Sequence, residues 1–197
     1  VNSPYRILPG TTHPLKCRTA FFIRRFLPER DRGAILSVTI YYLELPGSGQ
    51  VKGKPCPDGL SIVEAEEKEF RFNRYLYQLV GAPWQWTDKL KQSDTQWQAY
   101  AEADNLRTWV AYYRGSIAGY FELEKQQDAV QIAYFGLSPR FIGRGFGGHL
   151  LTRALQEAQQ WSPGKRVWVH TCTDDHEGAL ANYQARGMQI YRMEQEA

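Results

Sequence analysis

Four glycines, Gly143, Gly145, Gly147 and Gly148, stand between a strand-like run that ends at Leu137 and an amphipathic helix. The helix shows one apolar face through Leu150, Leu151, Ala154, Leu155, Ala158 and Trp161. Nothing else in the chain restricts the fold as much. Glycine accepts positive φ and lets the backbone come close to a ligand. The free N–H groups of a helix start, helped by the helix dipole, favour an anion. A strand, a glycine-rich turn and a helix in that order describe either a pyrophosphate cradle or a tight connection. No Gly-Lys-Ser/Thr follows, so this is not a nucleotide-triphosphate loop. The runs before it are hairpin-linked, so the βαβ setting of a dinucleotide fold is missing.

Periodicity and turn residues supply the remaining elements. Residues 38–45 are β-branched and aromatic and read as a strand. Residues 46–59 form a loop by composition, and 60–64 a short strand. Helical spacing of Phe70, Asn73, Tyr77 and Val80 predicts a helix over 66–80, stopped by Gly81 and Pro83. Ser93 caps a second helix to about Ala103, with Trp97 and Tyr100 inward. Runs 107–113, 117–125 and 130–137, joined by tight turns, read as an antiparallel meander. A strand over 167–171, a helix over 177–186 ended by Gly187 and a last strand over 188–193 complete the chain. Strands that meander and then alternate with helices predict an α/β (α+β) class with a mixed sheet.

The 197 residues are 43% hydrophobic and 23% charged, as expected of one globular domain. There is no apolar run of about 18 residues, and the pattern of a signal peptide is missing. Cys17, Cys56 and Cys172 are too few and scattered for a disulfide framework, so a cytoplasmic protein is expected. Charge is uneven: residues 1–57 carry nine Lys/Arg against Glu29, Asp31 and Glu44, a balance of +6, which leaves −3 for the rest. Residues 1–36 read as a basic N-terminal extension and 37–197 as a single domain. The extension is either an arm for nucleic acid or a membrane surface, or a partly ordered segment packed on the domain. Its short patch and poor helical periodicity favour the second.

The run Leu-Ser-Pro-Arg-Phe-Ile-Gly-Arg-Gly-Phe-Gly-Gly-His-Leu-Leu (137–151) resembles motif A of the GCN5-related N-acetyltransferases (GNAT). That motif has the form Gln/Arg-x-x-Gly-x-Gly/Ala after a bulged strand. Ala-Leu-Ala-Asn-Tyr-Gln-Ala-Arg-Gly-Met (179–188) is similar to the family's later Tyr-x-x-x-Gly-Phe segment. The resemblance covers about 107–193 well and 38–106 by element order. It implies the GNAT fold, a central, mixed, mostly antiparallel sheet flanked by helices, with acetyl-CoA as cosubstrate. The backbone of Phe135, Gly136 and Leu137 would pair with the pantetheine arm. The peptide groups of Gly143, Arg144, Gly145, Phe146, Gly147 and Gly148 would hold the pyrophosphate. Tyr183 matches the family's tyrosine placed as general acid near the CoA sulfur. Trp84, Trp86, Phe72 and Tyr75 fall in the region that shapes the acceptor pocket in this family, or are core under a loop.

Several positions depart from the family pattern. Ile142 stands where Gln or Arg is usual, Met188 replaces Phe, and His176 occupies the place of an asparagine that contacts pantetheine. Gln131 stands where some members carry a glutamate base, and Gln cannot accept a proton at neutral pH. Glu122 on the middle meander strand and His170 at a strand end rank equally as replacements, beside a water relay or an amine that arrives deprotonated. The run His170-Thr-Cys-Thr-Asp-Asp-His176 matches no recurrent zinc spacing, so no metal is expected. Asp88, Asp174 and Asp175 are further candidates for binding a substrate ammonium. The expectation is a direct transfer of acetyl to a primary amine of a small molecule or peptide. A non-catalytic acyl-CoA sensor is the rival. No membrane partner is expected, nucleic acid is not the favoured partner, and a homodimer would be unsurprising.

Overall fold

A computed structural model describes residues 37–196. The strands are β1 (Val38–Leu45), β2 (Leu60–Glu64), β3 (Leu106–Tyr113), β4 (Ser116–Lys125), β5 (Ala129–Leu137), β6 (Arg166–Cys172) and β7 (Gln189–Glu196). They form one seven-stranded sheet in the order β2-β3-β4-β5-β6-β1-β7. Every neighbouring pair is antiparallel except β5–β6. The helices among these residues are α1 (Phe70–Gly81), α2 (Asp94–Ala101), α3 (Phe146–Trp161) and α4 (Ala179–Ala185). The basic extension and Cys17 lie outside the described residues. No helix among those described is long and apolar enough to cross a membrane.

Both faces of the sheet are covered, which is why β4 is buried without a break from Ala118 to Leu123. Phe121 and Leu123 point into the core beneath α3, whose Leu150, Leu151, Ala154, Leu155 and Ala158 are fully buried. Tyr120 packs on the other face with Leu76 and Val80 of α1. The inward residues expected of α1, Phe70, Asn73, Tyr77 and Val80, are all buried. The helix starts at Phe70 rather than residue 66. Ala65 still donates its N–H to Thr108 O, extending the strand pairing, and the Glu69 side chain then caps the helix by accepting from Arg71 N. α2 begins as expected, on a capping box between Ser93 and Gln96.

The sheet opens between its only parallel pair. β5 and β6 are joined at Ala129–Arg166, Val130–Val167 and Gln131–Trp168, and no further. Opposite β4 the register jumps, so that Glu122 faces Tyr134 and Leu123 faces Ile132, leaving Ala133 as an extra residue. Such a bulge bends its strand. β6 continues with β1 instead, pairing His170 with Tyr42 and Cys172 with Ile40. The result is a V-shaped gap with β5 backbone along one side and β6 along the other.

Candidate active site

The gap widens into a cleft of about 650 Å³. One wall is β5 from Ile132 to Leu137, whose edge toward β6 carries no strand pairing beyond Gln131. Gly136 is required here: a Cβ would stand 2.5 Å from Val80 Cγ1, where α1 crosses the strand. The start of α3 closes one end. Gly143 and Gly145 have φ of 79° and 81°, and no side chain caps the first turn of the helix. Its N–H groups are therefore available to a ligand.

Two cations that sequence reasoning missed close on this turn. Lys54 donates from Nζ to Gly145 O at 3.2 Å, and its own N–H donates to Thr152 Oγ1 at 3.0 Å. Arg186 lines the same end. A Cβ at Gly148 would meet Lys54 Cδ at 2.7 Å and Arg186 Nη1 at 2.8 Å, so both side chains reach the turn because that position is bare. Arg186 Nε is buried without a hydrogen-bond partner. Unfilled helix amides and a bare turn flanked by two cations suit a phosphate-bearing group.

Farther along the cleft lie Tyr183 and His170. Tyr183 projects from α4, is 5% exposed and packs its ring 5.9 Å from that of Phe135. Burial, with Asp175 adding to it, pushes its phenol above the ordinary range, so the phenol keeps its proton. His170 is half-buried, and desolvation pulls its imidazole below 6.5 against the opposing pull of Asp175 and Asp88. A neutral imidazole is a proton acceptor at physiological pH. Trp84, Trp86 and His176 also line the cleft, with the His176 ring edge-on to Trp84 at 5.6 Å. Trp86 is seated on Gly81, against Tyr77 and Tyr134.

The structure gathers Phe135, Gly136, Leu137, Gly143, Gly145, Gly147, Gly148, Ile142, His170, His176 and Tyr183 into this one space. It does not gather Glu122. That carboxylate is 0% exposed beneath α1 and α2, and both of its oxygens are engaged, by Asn73 Nδ2 at 2.8 Å and Tyr100 OH at 2.6 Å. The face of β4 that carries it is roofed by two helices and does not look into the cleft. Gln131 is also outside the lining and accepts from Gln126 Nε2. Phe146 packs with Tyr113 and Phe141 in the core, and Arg144 lies over the Phe141 ring. Phe72 joins the apolar cluster under α1, while Tyr75 is exposed.

A mixed sheet that parts at its one parallel pair, with a bare helix start at the mouth of the gap, is the architecture of the acetyltransferase (GNAT) fold. Residues 72–188, more than half of the chain, match the model of the acetyltransferase (GNAT) family, and the chain belongs to that family. Members of the family are acyltransferases. A GCN5-related N-acetyltransferase from Sphaerobacter thermophilus is similar in structure, with a TM-score of 0.60 and 14% identity over 79% of this chain. The present chain spans about half of that one, 49%. An aminoglycoside acetyltransferase from an uncultured soil metagenomic sample, in complex with sisomicin, gives 0.55 and 18% identity, covering 66% of this chain and 88% of its own. The ribosomal-protein-S18-alanine N-acetyltransferase of Escherichia coli gives 0.50 and 15%, covering 65% and 76%. At these identities the likeness is one of fold. No curated protein matches the sequence.

Proposed function

We propose that the protein is an N-acetyltransferase that moves acetyl from acetyl-CoA directly to a primary amine. The observation that carries this reading is the cleft itself. An uncapped helix start with Lys54 and Arg186, a free strand edge, a protonated phenol and a neutral imidazole line one continuous space. Acetyl-CoA supplies the activated acyl group when bound. The N–H groups of residues 143–148 and the two cations hold the diphosphate, and the edge at Phe135, Gly136 and Leu137 pairs with the pantetheine amides as an added strand would. His170 takes the proton that the attacking amine loses. Tyr183 gives its proton to the departing sulfur as the carbon–sulfur bond breaks and the carbon–nitrogen bond forms. Charge balances, because one proton leaves nitrogen and one reaches sulfur. Neither a nucleophilic cysteine nor Glu122 takes part.

The test is to titrate acetyl-CoA by calorimetry and to follow CoA release across a panel of primary amines. Tyr183→Phe is expected to lower kcat by about 10²-fold or more, with the Kd for acetyl-CoA changed by less than about twofold, since the phenol's ring packing is kept. Tight acetyl-CoA binding with no CoA release from any amine would overturn the enzyme in favour of an acyl-CoA sensor. No affinity for any CoA species would overturn both.

A further inference from the structure

The connection from β6 to α4 joins the two side chains through which the proposed transfer moves protons, His170 and Tyr183. It begins as a closed turn. Asp175 N donates to Cys172 O at 3.1 Å, and Cys172 N donates back to Asp175 Oδ2 at 3.0 Å. The same Oδ2 accepts from Thr171 Oγ1 at 2.7 Å. Thr173 ties the turn to β1: its N–H donates to Thr39 O at 3.0 Å, and Thr39 N donates to its Oγ1 at 3.2 Å. A carboxylate gripped by charge-assisted bonds has little freedom to swing away. Asp175, His170 and Tyr183 line one cleft.

Side chains alternate along β6. Val167 and Val169 enter the core that Tyr183 also joins. His170 falls on the other face, with the rings of Tyr42 at 6.0 Å and Trp168 at 6.4 Å. The turn carries the half-buried Asp175 around the end of the strand, where its charge reaches both faces. It opposes desolvation at His170 and adds to burial at Tyr183. Asp88 also bears on His170, from an exposed loop position, and the Tyr42 phenol is another titratable group packed on the ring. When the amine gives up its proton, an imidazolium forms in a partly desolvated place, which is costly without an opposite charge nearby. We infer that Asp175 is a positioning residue for the transfer: it closes the turn that joins His170 to Tyr183 and supplies the fixed negative charge that the imidazolium meets. It acts through His170 rather than on the substrate. This role rests on the reading of the cleft as an acetyltransferase with His170 as base.

Asp175→Asn isolates the charge, because the amide oxygen can stand where Oδ2 stands and accept the same two bonds. NMR titration of the His170 ring in the full chain, without substrate, reads the effect. The midpoint is expected to fall by at least about 0.5 pH in Asp175→Asn, and the acid limb of kcat/KM should move with it. Asp88→Asn should move the midpoint less. Thr171→Val loosens the turn but keeps the charge, and should leave the midpoint in place. In the Asp88→Asn protein, raising salt should lower the midpoint further by screening Asp175, a reading that does not depend on how well Asp175→Asn folds. An unchanged midpoint in Asp175→Asn overturns the inference, as does an equal shift in Thr171→Val, which would make the role structural alone. A larger shift in Asp88→Asn, or no salt response in that protein, assigns the charge elsewhere and also overturns it. So does a shifted midpoint beside an unmoved acid limb. The two readings fail differently. No CoA release from any amine removes acetyl transfer and this role with it, whereas an unchanged midpoint with CoA release intact removes the role alone.

Discussion

Lys89 offers a stability test that is independent of catalysis. It is 5% exposed, in a short turn after Asp88. Its Nζ has no hydrogen-bond partner and lies over the ring of Tyr100, near those of Trp97 and Tyr134. Burial lowers its pKa from 10.5 to about 8, although the carboxylates of Glu122, Asp88 and Glu124 pull the other way. Because the unfolded chain keeps this proton up to about 10.4, the unfolded state binds more protons between pH 8 and 10. Stability must therefore rise with pH across that window. A fall from 10.5 to about 8 corresponds to about 3 kcal/mol in total, most of it regained by pH 10. The window closes there. Tyr77, Tyr100, Tyr120, Tyr134 and Tyr183 are all raised by burial, so the stability they contribute is complete below their unfolded value near 10 and is lost as pH climbs beyond it. Urea unfolding at intervals from pH 7 to 10 reads the slope directly. Lys89→Met is expected to flatten it. Glu122→Gln, which removes the strongest opposing charge, should start the rise at a lower pH. A flat or falling profile in the unmodified protein, or the same rise in Lys89→Met, would refute the reasoning.

Other outcomes follow from single contacts. Arg186→Gln should weaken acetyl-CoA binding about tenfold at low salt and less at high salt, read by calorimetry, since a charge-assisted contact is lost. The pH dependence of kcat/KM should show an acid limb with an apparent pKa below 6.5, the direction in which burial moves His170, and His170→Gln should remove that limb. Leu150→Ala empties a site that is 0% exposed and should cost about 2–5 kcal/mol in denaturant unfolding. Ser93→Ala removes the capping-box acceptor of Gln96 N and should cost about 1 kcal/mol by the same measurement.

Local patterns account for what the sequence discloses. The meander, the apolar face of α3 and the glycine turn are written in neighbouring residues, so periodicity and turn chemistry suffice to place them. Glu122 escapes such reasoning because its surroundings are not local. Asn73 and Tyr100 come from two helices that pack over β4, and nothing near residue 122 announces them. Lys54 sits in a stretch legible only as loop, and its carbonyl partner Gly145 is far along the chain. Lys54 and Arg186 meet at Gly148 only once the 46–59 loop and the end of α4 are folded against the start of α3. The expected start of α1 is early by four residues because acidic residues 66, 67 and 69 suit a helix, while the backbone of Ala65 is still committed to β3.

β1 sits between β6 and β7, although it is made well before either. A chain emerging from the ribosome can assemble β2 to β5 from near neighbours. β1 must wait, without either of its sheet neighbours, until residues 166–196 arrive. Closing so long a loop is slow, and an unpaired strand invites association with other chains. The half of the molecule that carries His170 and Asp174 is thus completed last, so chaperone demand during synthesis should be concentrated on that interval.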